Sequence, residues 1–220
     1  MLNILLCDDH EIVRKGLRQI LEGYPEFRVT TEVSSGEQLL RELRKAHPQV
    51  IILDLGLPGR SGLEVLKQVR ALYPEINVLV LSMYPEEQFA VRTIKAGASG
   101  YLHKDSPPEV LCKAIHMIAR GGKYINPALA GLLFEEIMSE RPQLTALHKN
   151  LSDREFEVLL LLGEGKKVSE IAQRMSLSAK TVSTYKARIF EKLNLKNLAQ
   201  VTRYLMEHNI AQAPSETLSR

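Results

Sequence analysis

Five short apolar runs, separated by stretches with helical spacing, constrain this chain more than any other feature. The runs are Leu2 to Cys7, Phe27 to Val33, Val50 to Leu53, Ile76 to Leu81 and Ser99 to Leu102. Within the first, third and fourth, Ile4 to Cys7, Val50 to Leu53 and Val78 to Leu81 are continuously apolar, as strands buried on both faces must be. Between them, Ile12, Val13, Leu17, Ile20 and Leu21 follow helical spacing within residues 10–22, and Leu39, Leu40 and Leu43 do so within 36–46. Further helices are expected over about 61–73, 86–96 and 107–121. Gly97 is the expected C-cap of the fourth, and Ser106, before Pro107, the expected N-cap of the fifth. Five βα units predict an α/β fold: a five-stranded, doubly wound parallel sheet with helices on both faces.

Four of the runs lead directly into chemistry. Asp8 and Asp9 follow the first, Asp54 the third, Ser82 the fourth, and Lys104 stands just past the fifth. In an open parallel sheet the carboxyl ends of the strands share one edge, where ligands bind. Three carboxylates gathered there repel one another and call for a cation, and hard oxygen ligands suit Mg²⁺. Asp54, at the middle of the edge, is placed to attack phosphorus and form an acyl phosphate. Its negative charge opposes that attack. Mg²⁺ held by Asp9 and Asp54, with Asp8 acting through water, would neutralise the repulsion. Lys104 adds a second cation, and the Ser82 hydroxyl can donate to a phosphoryl oxygen. Singly, each residue has an ordinary reading: Asp8 and Asp9 could merely cap the first helix. Their joint occurrence, in order, at successive strand ends carries the argument. His10 and His103 read as outer or surface residues, since two scattered histidines make no metal motif.

Composition excludes several classes. No run approaches the roughly 20 apolar residues of a membrane span. An acidic pair directly after Cys7 does not suit a signal peptide, so a cytoplasmic protein is expected. Cys7 and Cys112 lie in apolar contexts and read as reduced, buried thiols. Residues 1–122 carry 15 Lys+Arg and 15 Asp+Glu; residues 151–220 carry 11 and 8. The whole excess of +3 therefore sits in the C-terminal third, which points to nucleic acid there.

Over about residues 2–120 the chain resembles the receiver domains of two-component response regulators. The matching segments are CDDH (7–10), ILDLGLPGRSG (52–62), VLVLS (78–82) and KAGASGYLHK (95–104). The resemblance implies that Asp54 accepts phosphate from a phosphohistidine on a partner histidine kinase or phosphotransfer domain. It also implies a switch hydroxyl at Ser82, an aromatic switch at Tyr101 and a metal ligand in the backbone carbonyl of Gly56. Pro58 and Gly62 match the loop after the acceptor. Leu57 stands where Met is commoner, and Asp105 where many receivers have Pro.

Pro127 and Pro142 bracket a short apolar helix, about 128–138, in what reads as a linker. From Leu151 the pattern is helical throughout. Ser152 and Glu155 form a capping box, and Gly163 and Gly165 are expected to break the helix that follows. Helices over 168–175, 179–193 and 197–208 complete a small all-α unit of four helices with helix-turn-helix proportions. On helix 179–193, Val182, Tyr185, Ile189 and Leu193 share an inner face. Lys180, Ser183, Thr184, Ala187 and Arg188 lie opposite, small and basic as a major groove requires, and Lys186 can snorkel towards the DNA backbone. By spacing alone, an ordinary four-helix bundle with a solvated basic face fits equally well. Residues 148–212 resemble the LuxR-type helix-turn-helix of the NarL/FixJ regulators, through LS-x-RE, EIA, S-x-KTV and I-x-x-KL at fixed spacing. Tyr185 stands where that family often has His, and Ser183 and Thr184 where it often has Lys and Val.

The reading is a receiver over 1–122, a linker over 123–147 and a DNA-binding domain over 148–212. It implies a transcription regulator, not an enzyme, that binds double-stranded DNA as a homodimer once phosphorylated. A Mg²⁺-dependent phosphohydrolase is the first rival, but Gly56 occupies the place of its second, acid/base Asp. A DNA binder indifferent to phosphate is the second. A dinucleotide-binding domain is disfavoured, since no G-x-G-x-x-G follows the first strand.

Overall fold

The computed structural model describes residues 1–84, 86–138, 147–208 and 210. The chain forms two compact units, Met1–Ile137 and Met138–Arg220. The first contains strands β1 (Leu2–Cys7), β2 (Phe27–Val33), β3 (Val50–Leu53), β4 (Asn77–Ser82) and β5 (Gly100–His103). They alternate with helices α1 (Glu11–Glu22), α2 (Gly36–Glu42), α3 (Gly62–Leu72), α4 (Glu86–Lys95) and α5 (Pro108–Ala119). All strand pairs are parallel, in the order β2-β1-β3-β4-β5. The order reverses between β1 and β3, so Asp8, Asp9 and Asp54 stand at the switch point where such sheets bind ligands.

Register makes those ends level. Cys7 pairs with Leu53, and Leu53 with Val80. The Asp54 N–H donates to the Cys7 carbonyl at 2.9 Å, and the Lys104 N–H to the Ser82 carbonyl at 2.9 Å. The sheet is anchored by Ile4, Leu6, Ile52, Leu79 and Leu81, which pack with Leu17 and Leu21 of α1 and Leu111, Ile115 and Ile118 of α5. Ile12 departs from the expected stripe and is 86% exposed. At 3.6 residues per turn it lies about 140° around α1 from Leu17.

Element ends follow local chemistry. Gly97 takes φ +101° and closes α4, as expected. The N-cap of α5 is Pro107, not Ser106. Pro107 itself precedes a proline, which holds it extended, so the helix begins one residue later. Beyond α5, Tyr124 bridges to Gly100 beside β5, and helix α6 (Pro127–Met138) follows. Of the expected linker, residues 139–146, including Pro142, lie outside the described residues.

The second unit opens with a 3₁₀ turn, Leu147–Asn150, and continues with α7 (Asp153–Gly163), α8 (Val168–Arg174), α9 (Ala179–Lys192) and α10 (Leu198–Glu207). The capping box is present: Glu155 N–H donates to Ser152 Oγ at 3.3 Å, and Ser152 N–H to Glu155 Oε2 at 2.8 Å. Ser178 caps α9 and Asn197 caps α10. As expected, α7 ends at Gly163; a Cβ there would lie 2.1 Å from Leu205 Cδ1, so this glycine also admits α10 against α7. Gly165, with φ +78°, ends the run. Residues 211 and 212, at the expected end of this unit, lie outside the described residues.

Gly62 is the tightest glycine of the first unit that meets backbone. A Cβ there would lie 2.4 Å from the Asp54 carbonyl oxygen and 2.5 Å from Leu55 Cα. Gly16, within α1, has nothing within 4 Å. Gly62→Ala is expected to destabilise the first unit by about 1–3 kcal/mol. Gly16→Ala should instead stabilise it by up to about 1 kcal/mol through helix propensity. Urea unfolding of the two variants checks the opposite signs.

Candidate functional site

The strand ends bring together Asp8, Asp9, Asp54 and Lys104. Asp8 and Asp54 are almost fully buried. Lys104 Nζ lies 2.6 Å from Asp8 Oδ2 and 2.9 Å from Asp54 Oδ2. The other oxygen of Asp8 accepts the His10 N–H at 2.8 Å, so Asp8 shapes the turn into α1 as well as serving the cluster. Arg14 donates to the Asp8 carbonyl at 2.7 Å and fixes α1 against that turn. Residue 56 lies against the acceptor: a Cβ on Gly56 would come 3.4 Å from Asp54 Oδ2.

Oxygens of Asp8, Asp9 and Asp54 and a ring nitrogen of His10 all lie within 4.8 Å of one another. Asp9 Oδ1 is buried and has no hydrogen-bond partner among the described residues. His10 Nδ1 is 2.9 Å from it but does not form a hydrogen bond with it. A buried oxygen lacking a donor is what a bound cation satisfies, so the residues present fit a metal ion. The sequence set His10 aside; only the fold shows that its ring reaches the carboxylates.

Burial pushes the Asp54 carboxyl above the usual carboxylate range; Lys104 opposes that shift, Asp8 adds to it, and the Gly56 N–H opposes it. Burial alone would lower Lys104, but Asp54 and Asp8 outweigh it and hold the ammonium above its ordinary value. Cys7, behind the cluster, is free and buried, and burial pushes its thiol well up, as do the carboxylates beside it. Cys112 is also free and buried.

Ser82 is fully buried, and its Oγ accepts the Tyr84 N–H at 3.2 Å. The buried Tyr101 donates its hydroxyl to the Tyr84 carbonyl at 2.5 Å. Both candidate switch residues thus hold the same residue of the β4–α4 loop. His103 Nε2, 3.0 Å from the Met83 carbonyl, holds its neighbour.

In the second unit, Val182 and Ile189 of α9 and Leu193 at its C-cap are buried. Tyr185, expected among them, is only half-buried. Lys180, Ser183, Thr184, Ala187 and Arg188 are all exposed. Lys186 is half-buried, with Nζ 5.4 Å from the centre of the Phe190 ring. Two features escaped the sequence. Glu191, also exposed, lies on the same stripe one turn further along, so the stripe is not uniformly basic. Lys192 Nζ is 2.6 Å from the buried Glu155 Oε2 and ties the end of α9 to the start of α7. Their separation in sequence leaves no local signal for that pair.

The chain matches the family model for the response regulator receiver domain over residues 4–116. It matches the model for bacterial regulatory proteins, luxR family, over 149–205. It is 34% identical over 220 residues to the response regulator UvrY of Escherichia coli, covering 100% of this chain and 99% of the relative. It is 33% identical over 216 residues to the response regulator GacA of Pseudomonas aeruginosa, covering 98% and 100%. A structure of RcsB from Salmonella enterica serovar Typhimurium, bound to promoter rprA in the presence of the phosphomimetic BeF3−, is 28% identical with a TM-score of 0.63. It covers 93% of this chain and 98% of that one. A structure of two RcsB dimers bound to two parallel DNAs is 29% identical with a TM-score of 0.58, again covering 93% and 98%.

The raised carboxyl of Asp54 means that the folded chain holds this proton more tightly than the unfolded chain does. Stability from this group is therefore greatest below the ordinary carboxylate pKa. It falls as pH rises through the window up to the raised value and stays reduced above it. Asp54→Asn removes the buried charge and should raise Tm relative to the parent near about pH 7, the gap closing towards about pH 4. Thermal unfolding of both proteins across that range checks it, and an equal gap at both ends would contradict it.

Proposed function

Because the chain belongs to the response regulators that join a receiver domain to a LuxR-type DNA-binding domain, we propose that Asp54 is the residue through which phosphorylation controls it. The chain is a DNA-binding transcriptional regulator of the two-component type. The observation that carries the assignment is the cluster of buried Asp8 and Asp54 bridged by Lys104 at the switch point of the sheet.

The phosphoryl donor is a phosphohistidine on a partner histidine kinase or phosphotransfer domain. An Asp54 carboxylate oxygen forms the new O–P bond as the N–P bond breaks. The electron pair stays with the leaving imidazole, which takes a proton from solvent. Asp8, Asp9, Asp54 and the Gly56 carbonyl would hold Mg²⁺. When bound, the ion supplies positive charge against the repulsion between carboxylates and phosphoryl group. Lys104, already 2.9 Å from the acceptor, is placed to take a phosphoryl oxygen. The acceptor side of the Ser82 hydroxyl is used by Tyr84, so its proton is available for another. Drawing Ser82 inward would remove one hold on Tyr84, to whose carbonyl Tyr101 is bonded, and so bias the β4–α4 loop between two arrangements. The acceptor works once per signal, as a switch and not as a turnover site.

The receiver is taken as 1–122, the linker as 123–147 and the DNA-binding domain as 148–212. Phosphorylation favours a homodimer whose two copies of α9 enter successive major grooves about one turn apart. Lys180, Ser183, Thr184, Lys186, Ala187 and Arg188 face the duplex, with Lys186 reaching a phosphate from beside Phe190. No helix among the described residues is long and apolar enough to cross a membrane, and a DNA target places the protein in the cytoplasm.

A small phosphoryl donor with Mg²⁺ should label Asp54 alone, and Asp54→Asn should abolish labelling. Undiminished incorporation in that variant overturns the assignment. Lys104→Ala should bind phosphate without the gain in dimerisation; parental dimerisation would remove its role. Lys180→Ala should weaken binding to specific and scrambled duplexes alike and flatten the salt dependence by about one unit of slope.

A further inference from the structure

Around α9, at about 100° per residue, Ser183, Ala187, Lys180, Thr184 and Arg188 follow one another across the exposed stripe. Lys180 and Arg188 have long stems that reach phosphates. The short side chains between them are those that come close to base edges. Thr184 is the informative one. Its hydroxyl donates to the Lys180 carbonyl at 3.0 Å. A hydroxyl has one proton, and this one is spent within the helix. With Oγ1 turned to the backbone, the methyl is the outward-facing group of this exposed side chain. Ala187, three residues on and also exposed, sets a second methyl beside it.

This surface cannot donate to guanine, whose major-groove edge offers only the acceptors N7 and O6. It is matched by thymine, the one base with a methyl group in that groove. We infer that the Thr184–Ala187 pair is a specificity-determining patch that reads thymine through its C5 methyl and disfavours guanine at the same position. The inference rests on α9 lying in the major groove, as proposed above. It concerns which base the groove face selects, not whether DNA is bound.

The test uses the full-length protein phosphorylated with a small donor and Mg²⁺. A preferred site is selected from random duplexes, and each thymine in a half-site is then replaced by uracil, which pairs identically but lacks the methyl. One position should lose about four-fold in affinity, the value of burying one methyl group. Restoring the methyl as 5-methylcytosine, paired with guanine, should bind better than unmethylated cytosine at that position. Thr184→Val keeps the methyl without the hydroxyl and should retain the uracil penalty. Thr184→Ser keeps the hydroxyl without the methyl and should lose most of it. The inference is overturned if no uracil substitution matters, if guanine is selected opposite the patch, or if Thr184→Ser keeps the penalty while Thr184→Val loses it. Tight, salt-dependent binding without any base preference would overturn it and leave the DNA-binding reading standing. Absence of binding to any duplex would overturn both.

Discussion

Lys104 stands between two carboxylates that are buried at the end of the sheet. With Nζ at 2.6 Å from Asp8 and 2.9 Å from Asp54, it is a cation that bridges both and makes their shared burial tolerable. Much of the first unit can be understood as what places these three groups. The parallel register brings Cys7, Leu53 and Val80 level, so residues separated by dozens of positions leave the sheet at one edge. Gly62 lets α3 start directly against the Asp54 backbone. The raised Asp54 carboxyl records what remains uncompensated. A site that is not electrostatically at rest is one that a phosphoryl group and a metal ion can change.

The fold was legible in the sequence because its signals are local. Continuous apolar runs of four residues set β1, β3 and β4, and Gly97 marked the end of α4 through its backbone conformation. The grouping of Asp8, Asp9, Asp54 and Lys104 was legible as well, since each stands at or just past a strand end. The misreadings have physical causes of two kinds. Ser106 has the residue type of a cap, but the proline after Pro107 moves the start of α5 one residue on. The contact of His10 with Asp9 and the Lys192–Glu155 pair depend on side-chain reach in three dimensions, which no spacing rule contains.

In the second unit, Lys192 has a place comparable to that of Lys104. Burial works against the Glu155 carboxylate, but Lys192 and the Ser152 cap outweigh it and hold it below the usual range. One carboxylate thereby closes the N-terminus of α7 and fixes the last turn of α9. Val182 and Ile189 are the buried residues of α9, with Leu193 buried at its C-cap, and the tie at its end helps to fix how its opposite face is presented.

The charge on that face argues against binding by attraction alone. The segment 151–220 exceeds neutrality by only three charges. On α9 itself, Lys180 and Arg188 share the exposed stripe with Glu191. A surface so modestly basic gains little from phosphates on any duplex, and what it gains is screened by salt. Under the proposed function, discrimination must therefore come from the short side chains at the centre of the stripe and from doubling the contacts in a dimer. Control of dimerisation by Asp54 would then act where the monomer is weakest. Two recognition helices joined at a fixed spacing multiply small base preferences that one helix could not use alone.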